Sequence, residues 1–179
     1  MNFNFRRRAL ALSCAVATAT IGVDFMATKS IAQAQLLPVI CSVGSETASY
    51  NPPLTTQTQN TTVSIQGSVG QCIGAQPIIS GTYNFTVTFA TSCNNIQSFP
   101  AYPITYNWNT GQSSQVSYTF TSLNLINGQL LLTSTGTVTD GLFKGRTVQR
   151  TITLLGTNLT ACFNQGLSTL GGPQTLTIL

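Results

Sequence analysis

The run "GTYNFTVTFA", residues 81–90, alternates strictly: Tyr83, Phe85, Val87 and Phe89 fall on one parity, Thr82, Asn84, Thr86 and Thr88 on the other. A helix would scatter these two sets around its axis, whereas an extended chain turns successive side chains to opposite faces. The same rhythm recurs. "TTVSIQGSV" puts Val63 and Ile65 on one face and Thr62, Ser64 and Gln66 on the other, "ITYNWN" alternates Ile104, Tyr106 and Trp108, and "TLTIL" closes with Leu176 and Ile178 on one face. Gly, Asn and Pro punctuate these runs, with no heptad and no fixed repeat. The pattern predicts an all-β fold: a single antiparallel β-sandwich or meander β-barrel of roughly eight to ten strands, each with one packed and one wet face. "SETASYNPPLTTQTQN", residues 45–60, is the expected loop or edge segment, because Pro52 and Pro53 donate no ladder hydrogen bond. "QSFPAYP" and "LGGP" are the next expected breaks.

The first residues follow a different grammar. Arg6, Arg7 and Arg8 precede a 15-residue apolar run, residues 9–23, and Ala32-Gln33-Ala34 supplies small residues for a signal peptidase. This order predicts a secretory signal peptide over 1–34, cleaved after Ala34, with the Sec route ahead of the twin-arginine route. The apolar run falls short of the ~20 residues a membrane-spanning helix needs. Removing 34 of 179 residues leaves 145, one all-β extracellular domain over 35–179. The formal charge of +4 is mostly leader. The remainder keeps Lys144, Arg146 and Arg150 against Glu46 and Asp140, a net +1. Three basic residues make no track along phosphates, so neither nucleic acid nor an anionic membrane is an expected partner. Polar threonine faces also argue against a lipid-facing barrel.

Four cysteines remain after cleavage, Cys41, Cys72, Cys93 and Cys162. An even number in an exported chain reads as two disulfides, with three connectivities open. The preferred pairing is Cys72 with Cys93, which closes a local loop, and Cys41 with Cys162, which ties the mature N-terminal segment to the C-terminal region. The chain has no histidine and no C-x-x-C pair, so no zinc site is expected. It has no Asp-rich loop for calcium, no phosphate-binding loop and no dinucleotide fingerprint, so no metal or cofactor is expected. Without histidine, Ser-His-Asp and Cys-His catalysis are ruled out. A general base would have to be Glu46, Asp140 or Lys144. Glu46 and Asp140 are the only two carboxylates available to flank a glycosidic bond, and nothing in the sequence brings them together. The reading is a non-enzyme with no catalytic residues.

The charged residues cluster in "TDGLFKGRTVQRT", residues 139–151. Taking 141–145 as a hairpin loop places Asp140 opposite Arg146, Val138 opposite Val148, Gly136 opposite Arg150 and Leu132 opposite Leu154. A threonine ladder then occupies the other face. Arg150 shares the parity of Val148 and Ile152, so it points to the packed side. There it either snorkels or pairs with Glu46 or Asp140, or it lines a ligand-binding mouth with Trp108 and Tyr106, the candidate ligand-facing residues.

Four segments, "TVTDGLFKGRTVQRTITL", "ITYNWNTGQSSQVSYTF", "TACFNQGL" and "SYNPPLT", resemble a group of small, secreted, functionally uncharacterised actinobacterial β-rich proteins. The sequence departs from that group at Pro53, where a glycine is usual, and in the Gln-rich stretch after Thr55. The resemblance implies a bacterial source, export and a β-fold; it carries no activity and no functional residues. The expected role is a secreted, non-enzymatic structural or interaction protein of the cell envelope or extracellular medium. The alternative is a carrier of a small apolar ligand in a β-barrel cavity lined by Tyr83, Phe85, Tyr106 and Trp108. A more remote one is an ice- or polysaccharide-binding threonine face.

Overall fold

The alternating runs become eight strands: β1 (Val39–Leu54), β2 (Gln59–Ile73), β3 (Ser80–Thr91), β4 (Pro103–Trp108), β5 (Ser113–Ile126), β6 (Gln129–Gly141), β7 (Thr147–Leu154) and β8 (Leu167–Ile178). The computed structural model describes residues 37–74, 77–96, 103–127, 129–154 and 156–179. The expected leader, and "QSFPAYP" as far as Tyr102, lie outside them. Each strand pairs antiparallel with the next, and β8 returns to β1, with Val39 opposite Ile178 and Leu54 opposite Leu167. The result is a closed meander barrel rather than a sandwich, with a short β3–β4 seam in which Gly81 faces Trp108 and Thr82 faces Asn107. Val63, Ile65, Tyr83, Val87, Tyr106, Val116, Ile152 and Leu176 fill the inside. Burying each such apolar side chain contributes about 1.5–3 kcal/mol. Outside, hydroxyls pair across strands, Thr62 with Thr88 at 2.9 Å and Ser64 with Thr86 at 3.2 Å. Among the described residues no helix is long and apolar enough to cross a membrane.

Several details differ from expectation. The proline segment is no loop: β1 runs through it, and only residues 55–58 connect to β2. Its inward positions are Glu46, Ala48 and Tyr50, an alternation hidden in the sequence because one inward residue is charged. The ladder to β2 ends at Asn51 opposite Thr62, so the prolines lie beyond it, where no donor is required. "LGGP" likewise stays within β8. A methyl group on Gly171 or Gly172 would strike the backbone carbonyl of Glu46 or Thr153, so these glycines serve close strand approach rather than a break.

The β6–β7 register is offset by two residues from expectation: Leu132 faces Ile152, Ser134 faces Arg150 and Gly136 faces Val148. An even offset keeps every side chain on its expected face. The cause is Phe143, which turns inward and is buried edge-on against Trp108, with ring centroids 6.2 Å apart. Gly141, Phe143 and Gly145 take positive φ of 79°, 68° and 85° to deliver it. The Val138 carbonyl accepts the Gly145 N–H at 2.8 Å. The exposed ion pair here is Lys144–Asp140, 3.4 Å, instead of Asp140–Arg146; such a pair contributes at most about 1 kcal/mol.

The disulfides are Cys41–Cys72 and Cys93–Cys162, not Cys72–Cys93 and Cys41–Cys162. Cys41 and Cys72 stand directly opposite on β1 and β2. Cys93 opens a 3₁₀ turn after β3, and Cys162 lies in the 3₁₀ segment Gly156–Phe163 that precedes β8. Both turns sit at one end of the barrel, a proximity that only closure creates.

Candidate functional site

The middle of the bore holds two charges: Arg150, which the parity of its strand already turned inward, and Glu46, which the sequence left unplaced. Glu46 on β1 and Arg150 on β7 are each only 8% exposed, and Arg150 Nη1 donates to Glu46 Oε2 at 2.6 Å. Either charge alone would be strongly disfavoured in this setting; paired, each supplies what the other lost from water. The two strands are separated only by β8, and β8 contributes Gln174. Its Nε2 donates to the backbone oxygens of Ser45 (2.9 Å) and Ser68 (2.8 Å), which fixes the amide. A side chain on Gly44 would occupy the space of the Gln174 side chain.

Tyr83 reaches the pair from β3. Along the sheet Glu46, Gly67 and Tyr83 stand in register on β1, β2 and β3. A Cβ on Gly67 would overlap the Tyr83 ring, so the missing side chain lets the ring lie across β2. The Tyr83 hydroxyl then sits 2.5 Å from Glu46 Oε2 and 2.9 Å from Gln174 Oε1. Its single proton has two acceptors, of which the carboxylate is nearer. On the far side, the Arg150 guanidinium lies 4.9 Å from the Tyr118 ring centroid, a cation–π contact. The Tyr118 and Tyr106 hydroxyls share a 2.6 Å hydrogen bond. Tyr106 stacks on Trp108 at 5.7 Å and meets the Tyr83 ring at 4.9 Å. The network thus joins β1, β3, β4, β5, β7 and β8.

The electrostatics follow from this packing. Burial, then Glu46, pushes the Tyr83 and Tyr50 phenols well above the usual tyrosine range. Burial does the same to Tyr106 and Tyr118. For Arg150, burial works against the charge, but Glu46 and the surrounding tyrosines outweigh it, so the guanidinium stays protonated.

Of the candidate ligand-facing residues, Arg150 and Tyr106 meet in this network. Trp108 extends it as a packed core residue, its Nε1 donating to Ser114 Oγ at 2.9 Å. The two carboxylates are far apart in role: Glu46 is held inside by Arg150 and Tyr83, while Asp140 is exposed beside the β6–β7 loop. No group of three or more metal-ligating side chains occurs among the described residues. Sequence reasoning missed Gln174, Tyr83's contact with Glu46 and the part played by Gly67. The one available signal was a glycine inside an otherwise regular strand run, which marks a close approach. Compared with known protein families, curated proteins and solved structures, the chain matches none of them.

Proposed function

We propose that this is an exported, non-enzymatic structural or interaction protein of the cell envelope, a rigid barrel that works through its polar, weakly charged outer surface. One observation carries the reading: the buried Arg150–Glu46 pair. It engages a buried carboxylate and a buried guanidinium with each other, so that the exposed charges among the described residues are Asp140 and Lys144, paired beside the β6–β7 loop. Thr62, Ser64, Gln66, Thr86 and Thr88 show the character of the outer surface. Exposed apolar side chains among the described residues, such as Ile40, Val43 and Ile73, share that exterior with these hydroxyls, whereas a lipid-facing barrel presents a continuous apolar band. Two disulfides suit an oxidising compartment. The ligand-carrier reading has less support, since Tyr83, Tyr106 and Gln174 are fully buried in the middle of the bore and eight-stranded barrels are narrow enough for side chains to fill.

The test is expression of the full chain in a bacterial host, followed by cell fractionation and intact mass measurement. The expected product lacks residues 1–34, carries no free thiol and partitions with the envelope. An unprocessed, reduced cytoplasmic product would overturn the proposal. A stoichiometric apolar ligand in native mass spectrometry would favour the carrier instead.

A further inference from the structure

A cleft of about 640 Å³ opens at the end of the barrel where β1 finishes and β8 begins. Pro53, Asn164, Gln165, Leu167, Ser168 and Thr169 are among its walls, and no wall residue is ionisable. We propose that this cleft binds a neutral polysaccharide. The inference deepens the envelope reading above, on which it rests, by naming the class of partner.

Asn164, Gln165, Ser168 and Thr169 are exposed, and within the described residues their side chains form no hydrogen bond. Each can both donate and accept, as a sugar hydroxyl does. An anionic ligand would call for arginine or lysine, and the cleft has neither. A wholly apolar ligand would call for a predominantly apolar lining. Here exposed apolar surface is limited to Pro53 and the half-buried Ala161, a patch suited to the C–H face of a pyranose. Phe163, next in the chain to Asn164, is 75% exposed; its ring is available to stack on a further sugar unit.

The cleft is also built in advance. The Ala161 carbonyl accepts the N–H groups of both Asn164 (3.1 Å) and Gly166 (2.9 Å). Gly166 has φ of +84°, and a side chain there would meet Pro53 Cβ at 2.9 Å. Cys162, two residues before Asn164, is anchored through its disulfide to Cys93. The backbone that carries the cleft's side chains, held this way, loses little freedom on binding. An open cleft with exposed walls admits a chain passing through, where an enclosed cavity would admit only a small molecule. This site lies at the start of β8, apart from the Thr62–Thr88 and Ser64–Thr86 hydroxyl pairs on β2 and β3.

The deciding experiment is a nuclear magnetic resonance titration of the purified exported protein with maltohexaose, cellohexaose and chitohexaose, with polygalacturonate as a charged control. At least one neutral hexasaccharide is expected to shift the backbone amides of Asn164, Gln165, Ser168 and Thr169 saturably. The double substitution Asn164→Ala/Ser168→Ala should weaken that binding about tenfold, the scale of losing one or two uncharged hydrogen bonds. Thr151→Ala/Thr175→Ala, on the strand exterior, should leave it unchanged. No saturable shift with any of the three, shifts confined to strand residues outside the cleft, or undiminished binding in the Asn164/Ser168 variant would each overturn the proposal. An envelope-associated protein without saccharide binding sinks only the cleft; a saccharide binder that is never exported sinks only the envelope reading.

Discussion

At the scale of single residues, the molecule turns on Arg150 and its surroundings. Replacing one member of a buried ion pair leaves the other uncompensated. Arg150→Met and Glu46→Gln are each expected to lower stability by about 3–5 kcal/mol in urea unfolding. The double variant should recover much of that loss. Single losses below about 1 kcal/mol would mean that water reaches the pair. Gly67→Ala tests the same site from beneath: the added methyl displaces the Tyr83 ring, at about 1–3 kcal/mol. How far this site was legible in the sequence depends on range. Parity along one strand placed Arg150 on the inner face, and its choice of partners narrowed to Glu46 or Asp140. The alignment of Glu46, Gly67 and Tyr83 needs the register of three strands at once, and no local pattern encodes that.

At the scale of elements, the β6–β7 hairpin shows what alternation can and cannot supply. Its two faces follow from period-two patterning; its register follows from one loop side chain, Phe143, that the sequence presents among turn residues. Phe143→Ala is expected to cost about 3–5 kcal/mol, the range for emptying a buried phenylalanine site. The chain has a single tryptophan, and Trp108 packs against Phe143, so near-ultraviolet circular dichroism should weaken with it. An unchanged Trp108 signal would show that the loop repacks. The cysteine pairing was illegible for a related reason. Cys93 and Cys162 meet because the β3–β4 and β7–β8 connections share one end of the barrel, a fact of topology rather than spacing. Opening that 69-residue separation with Cys93→Ser/Cys162→Ser should lower stability by about 2–5 kcal/mol, read as a shift in the unfolding midpoint.

At the scale of the whole molecule, four phenols are held above their ordinary ionisation range by burial: Tyr50, Tyr83, Tyr106 and Tyr118. The folded chain therefore keeps protons that the unfolded chain releases near pH ~10. Their contribution to stability is complete below that pH and is lost as pH rises from there towards the folded values. Tyrosinate absorbance should thus appear together with the loss of far-ultraviolet circular dichroism. Ionisation of more than one of the five tyrosines while the fold persists would contradict the buried network. Antiparallel strands were legible at this scale, but barrel and sandwich were not separable, since closure rests on the β1–β8 ladder between the most distant parts of the domain. That ladder has a geometric corollary. Val39 and Ile178 are neighbours on one rim, while Gly166 and Pro53 lie on the other. A tether attached at either terminus of the barrel grips the same rim and presents the saccharide cleft outward, so immobilisation through a C-terminal tag should leave ligand capture intact.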